Sequence, residues 1–290
     1  MIDYGNTKGL SLLQELANQG LFVFTVEDAK TLASRIGLSD NYLSQVLSHL
    51  SQAGWIIRLR RGLYAGTGSL PGGVQVHPFA VATRLVEPSA ISHWSAMSYH
   101  GLTDQIPHIV TAFTPQKVVT PTMRRSNAKI GRKHSWDIWG ARYEYVTVIL
   151  DHFFGIEDVW VDERFRIPIT DKERTILETF VSPRLFGGIG EALATLEEHI
   201  HELDLEKLVG YAKRYGKASA IKRLGWALER LEAPPEFVDR LKEIPIKGFR
   251  LLEPTRPRRG SYDKRWMIQN NLLGERDLNE ASKSPTERSR

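Results

Sequence analysis

Apolar positions in the first 66 residues form three helical stripes followed by a short alternating stretch. Leu12, Leu13 and Leu16 share one side of residues 10–19, and Gly20 is suited to end that segment. A brief apolar run, Phe22 to Phe24, leads to Thr25, which stands at an N-cap position with Asp28 three residues on in a capping-box arrangement. Ala29, Leu32, Ala33 and Ile36 then recur at i, i+3, i+4 and i+7, predicting a second helix that Gly37 ends. A third helix follows the cap Ser39. It carries Leu43, Val46, Leu47 and Leu50 at the same spacing and closes at Gly54. Residues 55–59 alternate as a strand, Arg60-Arg61-Gly62 reads as a turn, and Leu63-Tyr64-Ala65 is the returning strand. Three helices and a hairpin in this order predict a winged helix-turn-helix.

Opposite its apolar stripe, the third helix presents Asn41, Gln45 and Ser48, flanked by Ser44 and His49, with Tyr42 at its N-terminal end. In the major groove Asn and Gln can pair with adenine in bidentate fashion, and Ser can donate or accept. Arg58, Arg60 and Arg61 gather in the hairpin, at the tip of the wing, where phosphates beside the groove would lie. The expected DNA-binding residues are therefore Asn41, Tyr42, Ser44, Gln45, Ser48, Arg58, Arg60 and Arg61, and the expected partner is double-stranded DNA. One winged helix reads about one half-site, so an inverted repeat calls for two copies of the chain.

Small residues from Thr67 to Gly73 read as a linker. The chain divides accordingly into a winged helix over 1–68, a linker over 69–76, a mixed α/β domain over 77–272 and a disordered tail over 273–290. Residues 78–86 and 89–100 read as helices, the second capped by Ser89. Residues 108–113, 143–150, 159–161 and 165–169 read as strands. From Thr170 the pattern is mostly helical until Pro234-Pro235 breaks it, and residues 263–270 can pack back as a last strand. The fold class is α+β, with a winged helix followed by a larger mixed α/β domain whose C-terminal part is helical.

Composition narrows the chemistry. With no cysteine among the 290 residues, disulfides, thiol catalysis and cysteine-bound metals are excluded. No apolar run reaches the roughly 18 residues of a membrane helix, and the N-terminus lacks a secretory signal, so a cytoplasmic protein is expected. The net charge of +5 suits a polyanionic partner, and it is concentrated in basic stretches over 117–142 and 250–265. His93 and His100, seven apart on one helix, lie about 10 Å apart, too far for one metal ion. His199 and His201 point to different sides of a helix and read as solvent-exposed. The acids Glu157, Asp158, Asp162 and Glu163 flank a strand, but the sequence supplies no lysine partner of a magnesium nuclease beside them. No catalytic residue, metal ligand or cofactor site is assigned.

The order of RRGLYA, HPFAVATRLVEPSAISHWSAMSYHGLT, TAFTP and PITDKERTILETF over residues 10–270 resembles the AbiEi-type antitoxins. The resemblance implies an autorepressor that acts through its winged helix on an inverted repeat in its own promoter. It also implies a C-terminal domain that counters a nucleotidyltransferase-like toxin, with direct contact between the two proteins left open. Arg60 and Arg61 match a basic wing, and the family has no shared catalytic residues to carry over. Two alternatives stand beside this reading: a metal-dependent DNA nuclease targeted by the winged helix, and a ligand-sensing regulator with no toxin.

Overall fold

The computed structural model describes residues 4–68, 75–118, 134–245 and 247–272, apart from the side chains of residues 4–7 and 134. Most of the expected linker, the expected tail and the central part of the first basic stretch lie outside the described residues. The chain gathers into two compact units. One comprises residues 1–91, 108–149 and 157–169, the other residues 92–107, 150–156 and 170–290.

The first unit begins with α1 (Tyr4–Asn18), β1 (Val23–Thr25), α2 (Val26–Arg35), α3 (Asp40–Gln52), β2 (Ile56–Arg60) and β3 (Leu63–Gly66). Helix α1 starts six residues before the predicted start at residue 10 because tertiary packing, not periodicity, holds its first turns. A Cβ on Gly9 would meet the Leu50 side chain at 3.0 Å, and Lys8 donates to the Gly37 carbonyl at 3.1 Å. The capping box at the start of α2 is closed in both directions. Asp28 N–H donates to Thr25 Oγ1 at 3.1 Å, and Thr25 N–H donates to the Asp28 carboxylate at 2.7 Å. Leu12, Leu16, Leu32, Leu43, Leu47 and Leu50 meet in one buried core. The strands form a sheet in the order β1-β3-β2, the outer two antiparallel to β3.

The same unit continues with α4 (Pro78–Leu85) and a six-stranded sheet. Its strands are β4 (Ala90–Ile91), β5 (Ile109–Thr114), β6 (His134–Ile138), β7 (Ala141–Thr147), β8 (Ile156–Trp160) and β9 (Arg166–Thr170), in the order β6-β7-β5-β4-β9-β8. Tyr145 Oη donates to the Ala82 carbonyl at 2.6 Å, fastening α4 to β7. Here the prediction of one helix over 89–100 is corrected. Ala90 and Ile91 pair with Phe113 and Ala112 on one side, and Ile91 with Ile169 on the other, so Ser89 precedes a strand and caps nothing.

The second unit contains α5 (His93–Tyr99), α6 (Lys172–Val181), α7 (Ile189–His199), α8 (Leu205–Tyr215), α9 (Ala218–Arg230) and α10 (Pro235–Lys242). It also holds a small sheet of β10 (Arg250–Leu251), β11 (Ser261–Asp263) and β12 (Ile268–Asn270), ordered β10-β12-β11. Pro235 begins a helix as well as ending the helical pattern before it, because at the first helical position its missing N–H is not needed. Helix α6 is enclosed on every side: Ile176, Leu177 and Phe180 are fully buried, and so is Arg174. The Arg174 side chain packs on the bare backbone of Gly155, at φ +69°, where any Cβ would come within 2.7 Å of it.

Candidate nucleic-acid interface

The polar face of α3 exists because Leu43, Val46, Leu47 and Leu50 are drawn into the core. That leaves Asn41, Ser44, Gln45 and Ser48 exposed along the outer side of the helix, with Tyr42 half-buried at its margin. Among the described residues, none of these exposed polar side chains has a hydrogen-bond partner. Ser39 occupies the N-cap without a side-chain cap bond, so its hydroxyl is not consumed by the helix it precedes. Asp40 supplies the carboxylate of the first turn.

Helix α3 leads through Gly54 into β2, and the hairpin closes on Arg61-Gly62, with Gly62 at φ +77°. Left-handed backbone at this position favours glycine, and it allows Arg60 to pair directly with Leu63 across a two-residue loop. A register shift between Arg58 and Arg60 leaves Leu59 as the extra residue. Arg58 and Arg60 are exposed on either side of it while Leu59 is buried. Arg60 and Arg61 sit at the tip. Arg58 lies farther down, opposite Tyr64, which in turn stacks on Phe24 at a ring-centroid distance of 5.9 Å. The predicted clustering of all three arginines at the tip is thus corrected to two at the tip and one on the strand. Burial raises the pKa of the Tyr145 phenol, and the nearby Arg60 guanidinium works against that rise.

The remaining candidates have structural partners. His93 opens α5 at φ +55° with its ring buried, Nδ1 2.8 Å from Ser92 Oγ and the ring stacked on Phe186. Burial lowers its pKa, so the imidazole is held neutral. His100 Nε2 is 2.7 Å from the Thr170 carbonyl. His201 is exposed, whereas the His199 side chain is largely covered and lies 3.0 Å from Glu202, which corrects the expectation of two solvent-facing rings. Asp162 accepts the N–H groups of Arg164 and Phe165 in a turn, and Asp158 lies 4.0 Å from Arg166. Among the described residues no group of three or more His, Asp or Glu side chains could hold a metal ion, and no helix is long and apolar enough to cross a membrane. Pairing of Arg142 with Asp137 at 2.7 Å takes up one end of the first basic stretch.

Residues 4–66 define a winged helix-turn-helix with a basic wing. Residues 11–65 match the family model described as transcriptional regulator, AbiEi antitoxin. The fold of the chain is similar to the crystal structure of the RV2827C protein from Mycobacterium tuberculosis. The TM-score is 0.60 over 90% of each chain, at 14% identity. No curated protein matches by sequence.

Sequence reasoning missed the buried charged cluster of the second unit. Arg174 donates to the Phe154 and His152 carbonyls and pairs with Glu178, while Lys207 bridges Asp171 and Glu173. The signal was present in DKERTILETF as opposite charges one turn apart, a spacing that exposed helices share.

Proposed function

We propose that the protein is a DNA-binding repressor of antitoxin type, with residues 1–68 acting on an inverted repeat in its own promoter and residues 77–272 opposing a nucleotidyltransferase-like toxin. The observation that carries the DNA half is the exposed, unpartnered polar row Asn41, Ser44, Gln45 and Ser48 on α3, continued by the exposed arginines of the hairpin that follows it. In this reading the row meets base edges, and Arg58, Arg60 and Arg61 hold phosphates on the flanking backbone. Two chains occupy the two half-sites. The toxin half rests on the family match at residues 11–65 and on the resemblance of the sequence beyond it.

The test is a gel-shift titration with duplex fragments tiled across the region upstream of the gene. Binding confined to a fragment with an inverted repeat, and footprinted on both half-sites, supports the reading. Equal affinity for every fragment overturns sequence-specific repression. The antitoxin half is tested separately, by co-expressing the protein with a nucleotidyltransferase encoded beside it and scoring growth.

A further inference from the structure

The second basic stretch does not belong to the winged helix. It surrounds the small sheet of the second unit, where two aromatic rings face outward. Tyr262 on β11 pairs with Gln269 of β12, which pairs on its other side with Leu251 of β10. Phe249 lies two residues before Leu251 and therefore on the same face of the sheet as Tyr262. The two rings meet edge to face at 4.9 Å, and they remain 39% and 58% exposed. Core residues supply the opposite face, with Ile268 and Trp266 buried against α9.

The charge around these rings is one-sided. Lys247 and Arg250 flank Phe249, Arg258 and Arg259 precede Tyr262, and Lys264 follows it, all exposed. The acids within this stretch are turned to other tasks. Glu253 is buried and accepts from Ile189 N–H and Thr255 N–H, while Asp263 accepts from Trp266 N–H. Beneath the sheet the cations are held by carbonyls. Buried Lys222 donates to the Gly248 carbonyl, and buried Arg223 donates to the carbonyls of Leu251 and Leu252. Burial, with the nearby Arg250 charge, lowers the Lys222 pKa.

We infer that the β10-β12-β11 sheet is a binding platform for single-stranded nucleic acid, in which bases stack on Phe249 and Tyr262 while Lys247, Arg258 and Lys264 track the phosphates. Exposed rings on a sheet, ringed by cations, are the arrangement that holds unpaired bases without reading their sequence. A duplex hides its base faces, so the rings discriminate against it, whereas the winged helix makes the opposite choice.

The test is fluorescence anisotropy of the full-length protein with labelled oligonucleotides of about 12 nucleotides, within the site sizes usual for such platforms. The same sequence is offered as RNA, as DNA and as a DNA duplex. The parent protein binds both single strands, and a preference for RNA assigns a contact to the 2′-hydroxyl. Phe249→Ala/Tyr262→Ala weakens single-strand binding about tenfold or more and leaves duplex binding unchanged. Tyr262→Phe keeps the ring and binds as the parent does. Should the double variant lose its circular dichroism spectrum, Tyr262→Ala alone carries the test, since that side chain is mostly in solvent. The wing variant Arg60→Ala/Arg61→Ala retains single-strand binding. Absence of single-strand binding at low salt overturns the inference. So does full affinity in the alanine variants, or a parallel loss of duplex binding.

Discussion

The Arg174 guanidinium lies 2.6 Å from the Glu178 carboxylate one turn farther along α6, and neither side chain reaches solvent. A buried ion pair of this kind opposes the desolvation of both charges and is intolerant of losing one of them. Glu178→Gln is therefore expected to lower unfolding stability by about 3–5 kcal/mol in urea titrations. The double change Arg174→Met/Glu178→Leu recovers part of that loss, because no lone charge remains. It does not recover all of it, since the Phe154 and His152 carbonyls lose their donor. Equal stability of Glu178→Gln and the parent would show that the pair contributes nothing.

Gly225 is packed against the indole of Trp266 so tightly that a Cβ would fall 2.1 Å from the ring. Gly225→Ala should cost about 1–3 kcal/mol through overpacking, despite the better helix propensity of alanine. Thermal melting followed by tryptophan fluorescence reads both the shift in midpoint and the displaced ring. A raised midpoint would contradict the packing account.

For the winged helix, two kinds of substitution test the proposed phosphate contacts separately from the proposed base contacts. Arg60→Ala/Arg61→Ala should weaken binding to all duplexes alike and flatten the dependence of log K on log salt by about 0.9 per lost phosphate contact. Gln45→Ala should instead cost about 1–3 kcal/mol on the preferred duplex and little on others. Titrations at several salt concentrations, on the bound fragment and on a scrambled one, distinguish the two patterns. An unchanged salt slope in the arginine variant would remove the wing from the interface.

His93 links stability to pH. Its folded pKa lies below the ordinary 6.5 because burial disfavours the imidazolium; the Glu178 carboxylate opposes this shift, and Arg174 adds to it. The unfolded chain then binds the proton first as pH falls. The contribution is complete above pH 6.5 and is lost as pH drops from there towards the folded pKa. Urea midpoints measured at pH 7.5, 6.5 and 5.5, in about unit steps around the ordinary histidine value, should fall more steeply for the parent than for His93→Phe. Identical slopes would show that the ring titrates no differently in the folded state.

Local signals were readable from the sequence, and signals that depend on distant partners were not. Thr25 and Asp28 announce the start of α2 because a capping box closes within four residues. The stripe from Leu43 to Leu50 announces α3 because burial of one face needs only its own period. Strand β4 has two residues, and nothing near it reveals that Phe113, Ala112 and Ile169 are its neighbours. Ser89 therefore resembled a helix cap. Helix α10 was hidden by reading Pro235 only as a breaker. At the candidate interface, the α3 residues and wing arginines were visible as types and spacings, but the shift at Leu59 that separates Arg58 from the tip depends on pairing with β3. Phe249 and Tyr262 come together only through β12.

The chain's passage between the two units sets an order of events during translation. Residues up to Gly66 contain every strand of the winged-helix sheet, whereas β4 waits for its partner Ile169. At roughly 5–20 residues per second, about 5–20 s separate the emergence of the two. For that interval a nascent chain carries a finished wing while the large sheet still lacks its last strand.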